Sequence, residues 1–145
     1  VIRTYKQERW APNSERIGKE DSLSVWYSIE ELEEFIATSK ENGADGIKFY
    51  FAAYPENYTE KPGYAGRQTL VLVATKTKEL ETGVANKDIY IQKAEKAEIL
   101  AYNAGSICPP LCNPKPKPTL TPDADDWGNI GVTIVDRGDK GLTVI

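Results

Sequence analysis

The sequence predicts an α+β or α/β fold: a mixed sheet of four to six strands, one well-defined helix over 29–42 and a C-terminal β-hairpin. Three observations support this prediction. The longest apolar runs lie between Leu23 and Thr75 and are separated by one helical pattern. Two short runs rich in Val, Ile and Thr flank a glycine-containing turn near the C-terminus, which is typical of a hairpin. At 145 residues, the chain has the length of one domain and can bury a substantial core.

The helix is predicted from its ends and from its apolar spacing. Ser28 and Glu31 fit a capping box, in which each side chain accepts a hydrogen bond from the backbone N–H of the other residue. Gly43 suits the left-handed position that ends a helix. The predicted apolar stripe comprises Ile29, Leu32, Phe35 and Ile36. The glutamates in the first two turns are interpreted as a solvated face because no histidine accompanies them.

Three strands are predicted around this helix: Leu23–Tyr27, Ile47–Tyr54 and Thr69–Thr75. The third is apolar on both faces, as an interior strand covered on both sides would be. A helix between the first two strands suggests a crossover connection, which would be right-handed if these strands are parallel.

Weaker patterns occupy the rest of the first 113 residues. Residues 1–21 are predicted to form an arm or a short helix, Lys76–Lys87 a polar connection, and Ile89–Ile91 a short strand. A second helix is predicted over 93–103 because alanine, glutamate and lysine are good helix formers. The alternative, that Ala97–Tyr102 forms a strand, stays open.

We predict three segments: residues 1–113 as an α/β core with an N-terminal arm, 114–123 as a proline-rich spacer, and 124–145 as the hairpin. The hairpin strands are Ile130–Val135 and Leu142–Ile145. A lone two-stranded hairpin is marginal in water, so these strands should dock on a sheet of this chain or of another subunit. The spacer could span up to about 28 Å at polyproline rise, which permits self-association.

Composition excludes several classes of function. The chain has 18 Lys and Arg against 22 Asp and Glu, a net charge of −4 and no basic tract, so nucleic-acid binding is not expected. No apolar run approaches the roughly 18 residues of a membrane span, and no signal peptide is visible, so we expect a soluble protein. The chain lacks methionine even at position 1, which predicts a processed product or an excised piece.

Histidine is absent from the whole sequence. This absence excludes Ser-His-Asp and Cys-His catalysis and the usual zinc sites. No cofactor or metal is expected. An enzyme would have to rely on carboxylates, lysine, tyrosine or a lone cysteine.

The long loop Pro55–Gln68 is the best candidate for a binding site, because connections of this length are often functional. Tyrosine combines a large apolar area with a polar tip and few rotatable bonds, which suits recognition. The predicted binding residues in and beside this loop are Tyr54, Tyr58, Tyr64 and Arg67. The alternative is that Tyr58 and Tyr64 fold down as a lid on the sheet.

The segment Cys108–Cys112 has two prolines between its cysteines. A disulfide requires Cα atoms within about 7 Å and therefore a tight turn, whereas an extended polyproline path would hold the cysteines farther apart. A structural disulfide, two free thiols, and a metal or redox role all stay open. The three-residue spacing disfavours the redox role. Oxidation of Cys108 and Cys112 would favour an extracytoplasmic location.

Two stretches together carry a family resemblance. One has the pattern W-[FY]-S-[LI]-E-E-L and begins at Trp26; the other is the C-P-P-x-C turn that begins at Cys108. Over about residues 22–113, the chain resembles a family of uncharacterised small bacterial proteins that have both features. The family supplies no activity to carry over to this chain.

Two functions follow from these observations. The first is a non-catalytic binding or assembly module, whose partner is another protein or a second copy of the chain. The second is a small enzyme that uses Glu56 or Asp88 beside Tyr50 or Tyr54. The missing catalytic residue types favour the module. A pair of acids in a closed pocket, one of them made harder to ionise by burial, would favour the enzyme.

Overall fold

A computed structural model describes residues 1–93, 95–112, 134–136 and 142–144. The described chain has an α+β fold that is mostly β, which confirms the predicted class. The helical elements are α1 (Ile2–Tyr5), a π-helical turn (Lys6–Trp10), α2 (Ala11–Ile17), α3 (Ile29–Glu41) and a 3₁₀ turn (Pro62–Tyr64). The strands are β1 (Ser24–Trp26), β2 (Gly46–Ala53), β3 (Gln68–Leu80), β4 (Gly83–Asp88), β5 (Tyr90–Lys93), β6 (Lys96–Ile99), β7 (Ala101–Tyr102), β8 (Ser106–Cys108), β9 (Ile134–Asp136) and β10 (Leu142–Val144).

The chain forms two compact units, one comprising Val25–Ser106 and the other Val1–Ser24 with Ile107–Ile145. The first unit is built on a four-stranded antiparallel sheet. Its central strand is β3, which pairs with β2, β4 and β7. In the β2–β3 ladder, Ile47 lies opposite Ala74 and Phe51 lies opposite Leu70. Strand β3 is therefore interior, as its apolar sequence predicts.

The core of this unit lies between α3 and one end of the sheet. Its buried members are Phe35 from the helix, Leu72 and Ala74 from β3, and Leu100. Backbone hydrogen bonds close the strand ends around it: the Ala74 N–H donates to Leu100 at 3.0 Å, and the Leu100 N–H donates to Ile89 at 2.8 Å. The core is thus fixed by side-chain packing and by a continuous backbone network.

The predicted start and capping box of α3 are confirmed, and the helix ends at Glu41, one residue before the predicted limit. The Ser28 hydroxyl accepts from the Glu31 N–H at 3.1 Å, and the Glu31 carboxylate accepts from the Ser28 N–H at 2.8 Å. Gly43 has a φ of +83° just beyond the helix. The predicted stripe is only partly right, since Phe35 is buried while Ile29 and Ile36 are exposed. Ile29 is 76% exposed and lies outside the packed face, whereas Ile36 lines a surface groove together with Ile47.

Two predictions about the strands are wrong. Strand β1 lies outside the sheet that contains β2 and is paired with β8, so α3 is not a crossover between strands of one sheet. The polar connection expected over Lys76–Lys87 is instead the end of β3 and most of β4, which pair through Lys78 and Ala85. Residues 76–80 are exposed. This two-stranded part of the sheet therefore extends beyond the core, and its sequence lacks the apolar alternation that identifies a half-buried strand.

The second helix predicted over 93–103 is also wrong, and the alternative of strand structure holds. Residues 90–93 pair with 96–99 as a hairpin, in which Tyr90 lies opposite Ile99. Tyr102 lies opposite Leu72 of β3. Helix propensity differs by only a few tenths of a kcal/mol among these residue types. Burial of Leu100 and Tyr102 beside Leu72 outweighs that preference.

The other unit has an N-terminal helical segment, as the arm-or-helix prediction allowed. The Trp10 indole donates to the Asp21 carbonyl at 2.8 Å, and the Asp21 N–H donates to the Ser14 hydroxyl at 2.8 Å. The Leu23 N–H donates to the Cys108 carbonyl at 2.7 Å. These bonds tie residues 21–23 to the helical segment and to the cysteine turn.

The predicted C-terminal hairpin is confirmed where the structure describes it. Strands β9 and β10 pair antiparallel, with Ile134 opposite Val144 and Asp136 opposite Leu142. Residues 130–133 and 145 of the predicted strands, and the predicted spacer 114–123, lie outside the described residues.

Candidate functional site

The loop that joins β2 to β3 is closed at its base by backbone hydrogen bonds. Beyond the last ladder pair, the Tyr54 N–H donates to the Arg67 carbonyl at 2.9 Å. The Gly66 N–H donates to the Pro55 carbonyl at 3.2 Å, and Gly66 has a φ of +71°. A glycine suits this left-handed position because it has no Cβ to clash. The loop is therefore a compact structure whose ends meet, like an Ω-loop.

Three tyrosine rings pack together on this loop. The Tyr54 ring lies 4.7 Å from that of Tyr58 and 5.3 Å from that of Tyr64, measured between centroids, and both pairs are tilted. Such spacings fall within the favourable range for aromatic pairs. Tyr54 and Tyr58 are half-buried, while Tyr64 is only 3% exposed. We call Tyr54, Tyr58 and Tyr64 the tyrosine cluster.

The buried side of the loop has polar groups without partners. Arg67 is 9% exposed, and neither its Nε nor its Nη1 has a hydrogen-bond partner among the described residues. The same holds for the hydroxyl of Tyr64. No described carboxylate forms an ion pair with Arg67. A buried donor without a partner costs about 1–3 kcal/mol.

Other polar groups surround the tyrosine cluster. The Lys61 ammonium lies 5.0 Å from the centroid of the Tyr64 ring, a cation–π distance. The Tyr58 hydroxyl donates to the Glu60 carboxylate at 3.1 Å. Burial raises the pKa of Tyr58, and the bond to Glu60 raises it further. The Asn103 side-chain oxygen accepts from Tyr54 at 3.4 Å.

All the sequence-predicted binding residues lie on this one loop or at its base. The structure places the Tyr54 ring in contact with those of Tyr58 and Tyr64, and it buries Arg67, three residues after Tyr64. Lys61 and Asn103 were missed. A lysine close to a predicted aromatic cluster was a usable signal for Lys61. Asn103 reaches the cluster from a distant part of the chain, where the sequence has no such signal.

A second polar cluster involves residues considered for a carboxylate enzyme. Asp88 accepts a hydrogen bond from Lys48 at 2.8 Å and from the Tyr50 hydroxyl at 3.0 Å. The Lys48 bond lowers the pKa of Asp88, and the same bond raises the pKa of Lys48. Glu56 is exposed and makes no hydrogen bond or ion pair to another described residue. Asp88 therefore has the properties of a paired surface carboxylate and lacks those of a general acid held protonated by burial.

The cysteines are joined. Cys108 and Cys112 form a disulfide with Cα atoms 4.5 Å apart, so the structural bridge is the correct choice among the open alternatives. Both bonds preceding Pro109 and Pro110 are cis. Within the described part of the chain, no group of three or more Cys, Asp or Glu residues is arranged to hold a metal ion.

Comparison with known proteins returned no relative. No family model, curated protein or solved structure matches the chain. The resemblance to a bacterial family over residues 22–113 therefore stays a prediction. Among the residues that the structure describes, no helix is long and apolar enough to cross a membrane.

Proposed function

We propose that the protein is a non-catalytic binding module whose ligand surface is the tyrosine cluster. The observation that carries the proposal is that one closed loop has both accessible tyrosine rings and buried polar donors. Two half-buried rings, Tyr54 and Tyr58, lie on its accessible side, and two buried donors of Arg67 have no partner in the part of the chain that the structure describes. Tyrosine and arginine, together with tryptophan, are enriched among the residues that contribute most to binding at the centres of protein interfaces.

The polar groups favour one class of partner. Lys61 and Arg67 both carry positive charge and neither pairs with a described carboxylate, which favours a protein segment that presents an acidic side chain or a terminal carboxylate. Nε and Nη1 of Arg67 are enclosed in this conformation. Contact with them therefore requires the loop to move, and the cost of their missing hydrogen bonds favours that movement.

The proposal is tested by selecting peptides from a phage-displayed library on the immobilised chain. We expect enriched sequences to carry a carboxylate and to lose at least tenfold in affinity for Tyr58→Ala, by the usual cost of an interface anchor. The matched control is Tyr90→Ala, which removes an exposed tyrosine outside the loop and should leave affinity unchanged. Absence of enriched peptides, or equal losses in both variants, would contradict the proposal.

A second candidate function is self-association through the C-terminal strands. The observation that favours it is the hairpin of β9 and β10, whose described pairing comprises only two strands. An isolated pair of this kind needs a further sheet or a covering element to be stable. Deletion of Asp123–Ile145 should then reduce the mass in solution measured by light scattering, whereas a full chain that is already monomeric would contradict this function.

A further inference from the structure

Strand β2 lies at an edge of the main sheet as the described strands form it. Among the described strands its only partner is β3. The edge runs over eight residues, Gly46–Ala53, and its middle is aromatic. Phe49 is 55% exposed and Phe51 is 88% exposed. A long, exposed apolar edge is a template for pairing with another strand, and natural proteins usually protect such edges with charges, proline or a bulge.

The ladder register shows which backbone groups point outward. The Tyr54 N–H donates to the Arg67 carbonyl across the ladder, so even-numbered residues of β2 direct their backbone groups at β3. Opposite Ile47, the Ala74 N–H is used on the other side of β3, where it donates to Leu100. Because the pattern alternates, the N–H and C=O groups of Ile47, Phe49, Phe51 and Ala53 face away from the sheet.

This edge is complementary to itself. An antiparallel pair of two β2 strands centred on Tyr50 places Phe49 of each copy opposite Phe51 of the other, and Ile47 opposite Ala53. These four residues are the ones with outward backbone groups, so every such group from 47 to 53 would be paired. A two-fold axis requires the same patch on both subunits, and this register meets that requirement.

Charge also permits this pairing. Lys48 is the only charged residue of β2, and the register places it opposite Ala52 of the other copy. Its charge is already balanced by Asp88 at 2.8 Å. No like charges therefore lie opposite one another along the strand, while the aromatic pairs add favourable contact.

We propose that two copies of the chain associate through β2, with Tyr50 on the two-fold axis, to form a continuous sheet across the dimer. The interface uses other residues than the tyrosine cluster and the C-terminal strands, so the proposed dimer does not depend on the proposed ligand. It assigns an assembly role to a strand whose exposed phenylalanines contribute little to the core of the monomer.

The register is tested by cysteine cross-linking. Residues on the axis that are not hydrogen-bonded to each other approach to about 4.5 Å between Cα atoms, which a disulfide can bridge. Tyr50→Cys should therefore give a covalent dimer on mild oxidation with copper phenanthroline, with tryptic peptides joined at position 50. The matched control is Ala52→Cys, which lies opposite Lys48 in this register and should remain uncross-linked. The chain's own two cysteines are already joined, so they offer no competing thiol.

Light scattering supplies an independent measurement. The full chain should show twice the monomer mass of 16.1 kDa, and Phe51→Lys should halve that mass. Because Phe51 is exposed, this substitution leaves the monomer core intact, which circular dichroism would verify. A monomeric full chain, equal cross-linking of both cysteine variants, or a dimer that is lost on deletion of Asp123–Ile145 but retained in Phe51→Lys would overturn the proposal.

Discussion

The two halves of the β2–β3 ladder have opposite surroundings although they belong to one continuous pair of strands. At the first half, Ile47 and Ala74 pack under α3 with Phe35 and the rest of the core. At the second half, Phe51 lies opposite Leu70 on the same face and is almost fully exposed. The helix is thus long enough to cover one end of the ladder and leaves the other end bare.

The same division holds for polar groups. At the covered end, Glu31 accepts hydrogen bonds from Ser28 and Tyr102. At the bare end, the ladder leads into the loop where Arg67 and Tyr64 have polar atoms without described partners. Satisfied groups stabilise a fold, and unsatisfied ones mark places where stability has been given up. The contacts that stabilise this unit therefore lie mainly beside α3, and the proposed interactions with partners lie at the loop and at strand β2.

The largest expected difference in the free energy of unfolding comes from shortening one side chain in each half of the ladder. Leu72→Ala should lower the free energy of unfolding by about 2–5 kcal/mol, because it leaves a cavity in a close-packed core. Phe51→Ala should lower it by less than about 0.5 kcal/mol in the monomer, as for other surface substitutions. Urea denaturation at low protein concentration measures both. Similar losses in the two variants would show that the bare half is packed after all.

The second prediction concerns Arg67, and here the substitution is expected to raise the free energy of unfolding. Arg67→Met keeps most of the side-chain volume and removes the donors that lack partners, so it should raise the free energy of unfolding by about 1–3 kcal/mol. The same variant should weaken binding of any peptide selected on the tyrosine cluster. Arg16→Met is the control, since Arg16 is exposed and makes no hydrogen bond to another described residue. A loss of stability specific to Arg67→Met would mean that the guanidinium is satisfied.

The sequence predicted the covered half better than the bare one, for a physical reason. Caps and apolar periodicity are local signals, and they located α3 between its N-cap Ser28 and Gly43, which follows the helix. The choice of which helix face meets the sheet is not local, so the apolar spacing did not show that Ile29 would be largely exposed. The strand–helix ambiguity over residues 93–103 was settled by contacts with β3, which no local pattern contains.

The candidate site was predictable to a similar degree. Length and aromatic content identified the loop, and its three tyrosines were expected in the right place. No local pattern indicates that Arg67 is buried without partners for two of its donors among the described residues, because burial depends on how the loop folds back on itself. Nor could the sequence show that β2 lies at the edge of the described sheet, since an apolar run of that length is equally compatible with an interior position.

The smallest effect should appear at low pH and should be confined to the covered end. Hydrogen bonds from Ser28, and then from Tyr102, lower the pKa of Glu31 below its ordinary value of 4.5. A carboxyl whose pKa is lowered by folding contributes stability above its unfolded pKa and loses it as the pH falls through the folded pKa. The free energy of unfolding of the native chain should therefore decline below about pH 4.5, and Glu31→Gln should make that decline shallower.

Glu33→Gln is the matched control, because Glu33 lies on the same helix, is exposed and makes no hydrogen bond to another described residue. Urea denaturation midpoints, measured from neutral pH to below the ordinary pKa of glutamate, distinguish the two variants. Glu33→Gln could instead reduce the decline as much as Glu31→Gln does. The acid sensitivity would then come from the net charge of the helix, and the hydrogen bonds of Glu31 with Ser28 and Tyr102 would not be its cause.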